Sequence, residues 1–394
     1  MEGLNTTIIS EFILLGITDL PWLQKVLFLP VLAFYLLDIL GNLTIICLVI
    51  KDATLHSPMY FFLANLSFLD MLFSSNTIPK MLVGIWMEKT ISIKNCIAQM
   101  YFLHFLGCSE GMLLAFMGYD RYVAICQPLR YVVIMAKNTC IQLVLVSWIA
   151  GLTSALINAI MTSRLPFCNN NNKVKHFICD VKPVIRLACK DIHINEITMT
   201  IVSGFLSIST FSLTILSYCY IVAHVIKMHS SQGRSKAFST CSAHLTIVII
   251  FYGTAMCTYL GPSSETSIEK DRIAAVLFTV ITPAINPIIY TLRNKDIRKS
   301  LRKYAKYLMF RAHMSNTRPA GRIRPTSPCH VALSPSYAAR SWQKSISPPP
   351  AFILGSHAPL SLINTEVFRV YKGQIFFQWL PQIPHSRACW GQLS

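Results

Sequence analysis

The sequence predicts an all-α membrane protein: a seven-transmembrane helix bundle with a short cytoplasmic amphipathic helix and a disordered C-terminal tail. Three observations carry this. The 394-residue chain is 53% hydrophobic and only 13% charged, with a mean hydropathy of +0.49, whereas soluble domains carry about 25% charged residues. Seven stretches approach or exceed the roughly 20 apolar residues that cross a hydrocarbon layer as a helix. Finally, the net charge of +18 gathers on one side of those stretches, as in proteins oriented by basic cytoplasmic loops. This composition excludes an ordinary cytosolic enzyme and a collagen-like chain. A basic chain can bind nucleic acid, but such a protein needs no comparable apolar content, so no nucleic-acid partner is expected.

In chain order, residues 1–25 read as an extracellular N-terminus without Lys or Arg before Lys25. Its apolar stretch, 13–17, is too short for a cleavable signal peptide, so the first span serves as its own insertion signal. The expected spans are 26–50, 58–83, 97–126, 141–163, 197–226, 239–260 and 273–292, within a membrane-embedded body of 26–292. Lys51, Arg130, Lys137, Lys227, Arg234 and Lys236 come after the odd-numbered spans, and a dense run from Arg293 to Arg311 comes after the seventh. All fall on one side, which the positive-inside rule makes cytoplasmic. Asn5-Thr6-Thr7 is a glycosylation sequon on the outward segment. Residues 293–311 read as a basic amphipathic helix on the inner leaflet, with Leu301, Tyr304, Leu308 and Met309 toward lipid. Residues 312–394 hold ten of the 20 prolines and, outside Thr365–Leu380, no sustained periodicity, so a disordered cytoplasmic tail is expected.

Ionisable groups inside spans are costly and are functional candidates by default. Here they are Asp38, Asp70, Glu110, His104 and the pair Asp120-Arg121. Two acids in neighbouring helices must share a proton, bind a cation or resist ionisation; the alternative is that each hydrogen-bonds nearby Asn or Ser groups. Asp120-Arg121-Tyr122 ends the third span, either as a releasable ion pair or as an anchor that snorkels to the interface. Pro283 and Asn286-Pro287 interrupt the seventh span, which suits a hinge or a static kink equally. Cys96, Cys168, Cys179 and Cys189 fall in outward segments where disulfides persist; four cysteines allow three pairings.

At these residues the sequence resembles an olfactory receptor of the rhodopsin-like G-protein-coupled family. The resemblance spans residues 41–294. It runs through Gly41-Asn42, Leu55-His56-Ser57-Pro58-Met59-Tyr60, Asp70, and Met117-Gly118-Tyr119-Asp120-Arg121-Tyr122-Val123-Ala124-Ile125-Cys126. It continues in Pro128-Leu129-Arg130-Tyr131, Ser217-Tyr218, Lys236-Ala237-Phe238-Ser239-Thr240-Cys241, His244-Leu245, and Asn286-Pro287-Ile288-Ile289-Tyr290. The ordered set at these spacings is specific, where any one block is weak.

The resemblance implies a non-catalytic plasma-membrane receptor. A small odorant enters the outer half of the bundle, and the inner face engages a heterotrimeric stimulatory olfactory-type G protein, raising cyclic AMP. By matching position, the pocket takes Leu103, His104, Gly107 and Cys108 from the third span and Val202, Ser203, Leu206 and Ser207 from the fifth. Ala255, Met256 and Tyr259 from the sixth and Thr279 from the seventh complete it, with Tyr252 at its floor. Arg121, Tyr218 and Tyr290 match the residues that rearrange on activation. The family pattern favours Cys96–Cys179, leaving Cys168–Cys189 within the second outer loop; Cys96–Cys189 stays open on sequence. Asp70 and Glu110 match an acidic pair proposed to hold a sodium ion, and no other cofactor is implied.

Three departures stand out. Gly118 replaces the usual alanine, loosening helix three by about 1 kcal/mol. Asp38 lies one turn outward of Asn42 on the same face, as a third acid near the expected cation site. The tail 312–394 extends beyond the usual family end and, with eight Lys and Arg against one Glu, supplies +7 of the charge. A transporter would call for internal repeats and broken helices, and an intramembrane enzyme for a nucleophile or metal motif; the sequence offers neither.

Overall fold

The computed structural model describes residues 9–168, 172–259 and 268–316, so the Asn5 sequon and the tail beyond 316 lie outside the described residues. Seven long helical segments form the bundle: α1 (Pro21–Lys51), α2 (Pro58–Trp86), α3 (Ile93–Cys126), α4 (Lys137–Ser163), α5 (His193–Ile226), α6 (Ser231–Tyr259) and α7 (Glu269–Arg293). An eighth, α8 (Lys295–Asn316), begins after the break at Asn294. Several starts carry local signals. Pro21 and Pro58 open α1 and α2, where a missing N–H costs nothing, and the Ser92 hydroxyl accepts from the Asn95 N–H at 3.3 Å to cap α3.

Five of the seven are long and apolar enough to cross a membrane on composition alone, and six with the bent halves of α6 joined. The remaining crossing is α2, at 29 residues. It is more polar because Asn65, Asp70 and Lys80 sit on a helix packed by neighbours. Most helices begin before the expected spans, α6 by eight residues, because polar loop ends continue the helix beyond the hydrocarbon.

Burial separates the helices by role. Two-thirds of the apolar window of α3 is buried, against 11% for α5, so α3 is central and α5 turns most of its surface to lipid. α3 meets α4 closely at Gly151: a Cβ there would stand 2.2 Å from Ser109 Oγ and 2.6 Å from the Phe105 carbonyl oxygen. Gly41 does the same for α1 and α7, with Pro287 Cγ 2.8 Å from where a Cβ would be. α5 and α7 each contain a π-helical turn, at Thr200–Gly204 and Leu277–Ile281, which inserts a residue and re-aims the side chains of the next turns.

A small sheet unforeseen from the sequence covers the outer end. β1 (Glu11–Leu14) pairs antiparallel with β2 (Thr90–Ser92) and parallel with β3 (Lys173–Val174), in the order β2-β1-β3. Phe12 is fully buried and meets Phe167 edge to face at 5.0 Å. This outer layer forms its own apolar cluster with Cys96, Met100, Val174 and Cys179.

The inner helix departs from expectation in its facing. Leu301 and Tyr304 pack against the bundle core instead of lipid, and the Tyr304 hydroxyl donates to the Lys51 carbonyl at 2.8 Å. Met309 is exposed as expected, and the Leu308 side chain lies outside the described residues. The apolar face of the first half of α8, Ile297, Leu301 and Tyr304, is consumed by docking against the bundle.

Candidate ligand pocket, acid cluster and signalling face

On the outer half of α3, Leu103 and His104 are buried. His104 Nδ1 lies 3.2 Å from the Met100 carbonyl one turn back, and its Nε2 lies 3.7 Å from Asp180 of the second outer loop. Gly107 leaves space that Phe73 and Phe278 fill, their rings crossing edge to face at 5.4 Å. Phe278 touches Phe251 at 5.5 Å, and Phe251 leads to Tyr252 and Phe211. The Tyr252 hydroxyl donates to the Gly111 carbonyl at 3.1 Å, joining α6 to α3. Ala255 packs on the same core, and Thr279 is buried with its hydroxyl on the Ala275 carbonyl at 2.8 Å.

The remaining expected pocket residues divide. Val202 and Leu206 are half-buried, and Ser203 accepts from Asn158 Nδ2 at 3.0 Å, tying α5 to α4. Cys108 turns toward α4, its Sγ 3.8 Å from Ser154 Oγ. Ser207 and Met256 are exposed, and the Tyr259 side chain lies outside the described residues. The enclosed group is therefore Leu103, His104, Gly107, Tyr252, Ala255 and Thr279 with the aromatic run Phe73, Phe278, Phe251 and Phe211. Those phenylalanines carried no distinguishing sequence signal.

Below this wall lie the acids. Asn286 Nδ2 donates to Asp70 Oδ2 at 3.0 Å, and the carboxyls of Asp70 and Glu110 lie close enough to interact electrostatically. Asp38 is fully buried and accepts from Asn42 Nδ2 at 2.7 Å and from the Ser74 hydroxyl. Asp70 Oδ1, Glu110 Oε1, Asn42 Oδ1, Asn286 Oδ1 and the Tyr290 hydroxyl are buried without a hydrogen-bond partner among the described residues. Buried polar atoms are ordinarily satisfied. Carboxyl, amide and hydroxyl oxygens are the donors that hard cations or water take, although among the described residues no three His, Cys, Asp or Glu side chains gather as a metal-holding group.

At the inner end, Arg121 pairs with its neighbour Asp120, both buried, and the Tyr131 hydroxyl donates to Asp120 Oδ1 at 2.8 Å. Tyr122 accepts from Gln127 Nε2 at 3.1 Å. The Tyr218 hydroxyl lies 2.8 Å from His244 Nδ1, while His244 Nε2 lies 3.0 Å from the Leu114 carbonyl. A carbonyl only accepts, so Nε2 carries the proton and Nδ1 accepts from tyrosine. Tyr290 is fully buried, and Pro287 fills the notch at Gly41. Sequence reading named Tyr218 but gave His244 and Tyr131 no role.

Outside the spans, Cys96 is bonded to Cys179 and Cys168 to Cys189, the pairing the resemblance favoured. His176 is buried in the second outer loop and accepts from the Ile178 N–H at 3.2 Å. Burial pushes its pKa down to about 4, with Asp180 opposing and Arg272 assisting. In the first inner loop the Ser300 hydroxyl, donating at 2.8 Å, holds the Asp52 carboxyl down at about 2, assisted by Thr54 and Lys303.

A bundle of membrane helices with a buried acid-base pair closing α3 and an Asn-Pro interruption in α7 defines a G-protein-coupled receptor, not an enzyme. A family model described as Olfactory receptor matches residues 31–306. Human olfactory receptor 12D1 is 48% identical over 305 residues, which cover 77% of this chain and 95% of the relative. Human olfactory receptor 12D2 is 45% identical over 307 residues, covering 77% and 100%. Mouse olfactory receptor 1M1 is 45% identical over 304 residues, covering 77% and 97%. The chain belongs to the olfactory receptor family, and is a multi-pass membrane protein of the odorant-receptor class.

Proposed function

We propose that this receptor binds small, mostly apolar volatile ligands in the outer half of the bundle and activates a heterotrimeric stimulatory olfactory-type G protein to raise cyclic AMP. It does so in the plasma membrane, with its N-terminus outside and its C-terminus in the cytoplasm. The carrying observation is the stacked arrangement along α3. Leu103, His104 and Gly107 sit outermost, the Tyr252–Gly111 contact comes next, and the Asp120–Arg121 pair lies at the inner end. Such a wall, apolar with a few polar groups, is what small-molecule sites use. A ligand that fits the active arrangement better shifts the population toward it. Moving from 1% to 99% active takes about 5.5 kcal/mol of differential binding.

The oxygen cluster suits a sodium ion held by Asp70 and Glu110 with Asn286 nearby; the ion would neutralise buried charge in the resting state. Asp38 adds a third carboxyl to this reading, and Asp38→Leu alters sodium sensitivity of the basal response if it holds. A cyclic AMP reporter screened with a volatile library tests the whole. The expected result is a saturable response that Arg121→Ala abolishes at equal surface expression. Responses that persist unchanged in that variant overturn it.

A further inference from the structure

Six cations of α8, Lys295, Arg298, Lys299, Arg302, Lys303 and Lys306, line one open groove of about 470 Å³. Their three- and four-residue spacing gathers them on one helix face. At 1.5 Å per residue the stripe runs about 16 Å. The opposite face fixes the helix rotation. Ile297 and Ser300 are buried, the Ser300 hydroxyl is on Asp52, and the Tyr304 hydroxyl is on the Lys51 carbonyl. The only acid of α8, Asp296, accepts from Tyr60 at 3.0 Å. Of the six cations, Lys303 alone has a carboxylate within 4.0 Å among the described residues, Asp52 at 3.5 Å, and it remains 64% exposed. Like charges three and four residues apart destabilise a helix, and a bound polyanion removes that repulsion. Exposed Tyr307, Met309 and Phe310 continue the helix beyond the cations, a surface that favours lipid over water.

We propose that this groove binds the polyphosphorylated headgroup of a phosphoinositide lipid of the inner leaflet. Clusters of four to eight Lys and Arg adjoining the inner end of a span attract anionic lipid. Six cations around one groove exceed what a singly charged headgroup neutralises, whereas several phosphates on one ring engage several at once. Arg302 brings an exposed guanidinium fork suited to phosphate oxygens, while Arg298 donates to the Leu292 carbonyl and flanks the groove. The polar docking on Asp52 and Lys51 thus holds a binding face outward, instead of serving only to anchor α8.

The proposal rests on the cytoplasmic placement of the C-terminus. That placement is checked separately by an antibody epitope at the C-terminus, which should become accessible only when cells are permeabilised; access in intact cells overturns the orientation itself. The site is tested on the full chain in nanodiscs of phosphatidylcholine containing equal amounts of phosphatidylserine and phosphatidylinositol bisphosphate, counting retained lipids by native mass spectrometry. The wild type is expected to retain the bisphosphate lipid over phosphatidylserine. The variant Lys299→Glu, Arg302→Glu, Lys306→Glu should lose at least about tenfold in that retention. The milder Lys299→Gln, Arg302→Gln, Lys306→Gln variant should lose part of it, with the helical circular dichroism of the wild type. Soluble inositol trisphosphate should compete, which identifies the headgroup as the bound part. Equal retention of phosphatidylserine overturns the proposal, as does undiminished retention by both folded variants. Displacement of the lipid by a soluble acidic peptide at lower concentration than inositol trisphosphate overturns it too, by assigning the groove to a protein partner.

Discussion

His244 Nδ1 accepts a hydrogen bond from the Tyr218 hydroxyl, 2.8 Å away, and its Nε2 donates to the Leu114 carbonyl at 3.0 Å. One imidazole therefore ties α6 to α5 and α3 at once, a few residues above the Arg121–Asp120 pair. The Leu114 tie persists only while α6 lies against α3, and the Tyr218 tie only while α6 lies against α5.

His244→Ala removes both ties. The net worth of a hydrogen bond is about 0.5–1.5 kcal/mol, and an orphaned buried partner costs about 1–3 kcal/mol. Losing the contact that holds α6 inward should raise ligand-independent cyclic AMP several-fold. A basal signal equal to the wild type at matched surface expression counts against the contact as a resting-state latch.

Two glycines should respond in opposite directions. At Gly118 an added Cβ would meet His244, Thr214 and Ser217 at 3.6–3.9 Å, ordinary contact, so Gly118→Ala should stabilise by about 1 kcal/mol through helix propensity. At Gly151 the same change collides with Ser109 and the Phe105 backbone. Overpacking there should cost about 1–3 kcal/mol or more. Melting temperatures of the purified variants check both signs.

His176 predicts an acid sensitivity of the outer surface. Its folded pKa of about 4 lies below the ordinary 6.5, so the unfolded loop takes up the proton first. Its stabilising contribution is complete above about pH 6.5 and is lost as pH falls toward 4, up to about 3 kcal/mol. Comparing thermal stability of wild type and His176→Gln between neutral pH and about pH 4.5 should show a steeper decline in the wild type. Parallel curves contradict the buried neutral imidazole.

The two disulfides close loops of different length, with sequence separations of 83 for Cys96–Cys179 and 21 for Cys168–Cys189. Chain entropy alone assigns them about 4.5 and about 3.3 kcal/mol. Cys179→Ser should therefore reduce surface expression more than Cys189→Ser, measured by flow cytometry. The Cys179 backbone N–H also donates to Gln99 Oε1 at 3.0 Å, a contact that serine keeps, so the comparison isolates the disulfide.

Much of the fold was legible in the sequence because it is written locally. Apolar runs marked the helices, the placement of Lys and Arg marked the sides, and Asp70, Glu110 and Asp120-Arg121 stood out as charge in an apolar setting. The features that escaped depend on long-range pairing. Glu11–Leu14 forms a strand only because Thr90–Ser92 and Lys173–Val174 lie beside it. The π turns in α5 and α7 leave no compositional mark, although they sit among the expected pocket residues of both helices. Phe73, Phe251 and Phe278 look like any core phenylalanine until their rings meet. Leu301 and Tyr304 were correctly read as an apolar face, but periodicity does not say whether lipid or protein covers it; the Asp52–Ser300 contact decides for protein.

The central claim, that this chain is a ligand-driven exchange factor for a stimulatory G protein, is tested most directly by reconstitution. Purified receptor in nanodiscs is mixed with the heterotrimeric stimulatory olfactory-type G protein, and guanine-nucleotide exchange is timed with and without a volatile that is active in the cyclic AMP reporter. The account predicts ligand-dependent acceleration in the wild type and none with Arg121→Ala. Exchange that the volatile leaves unchanged in the folded wild type would contradict it.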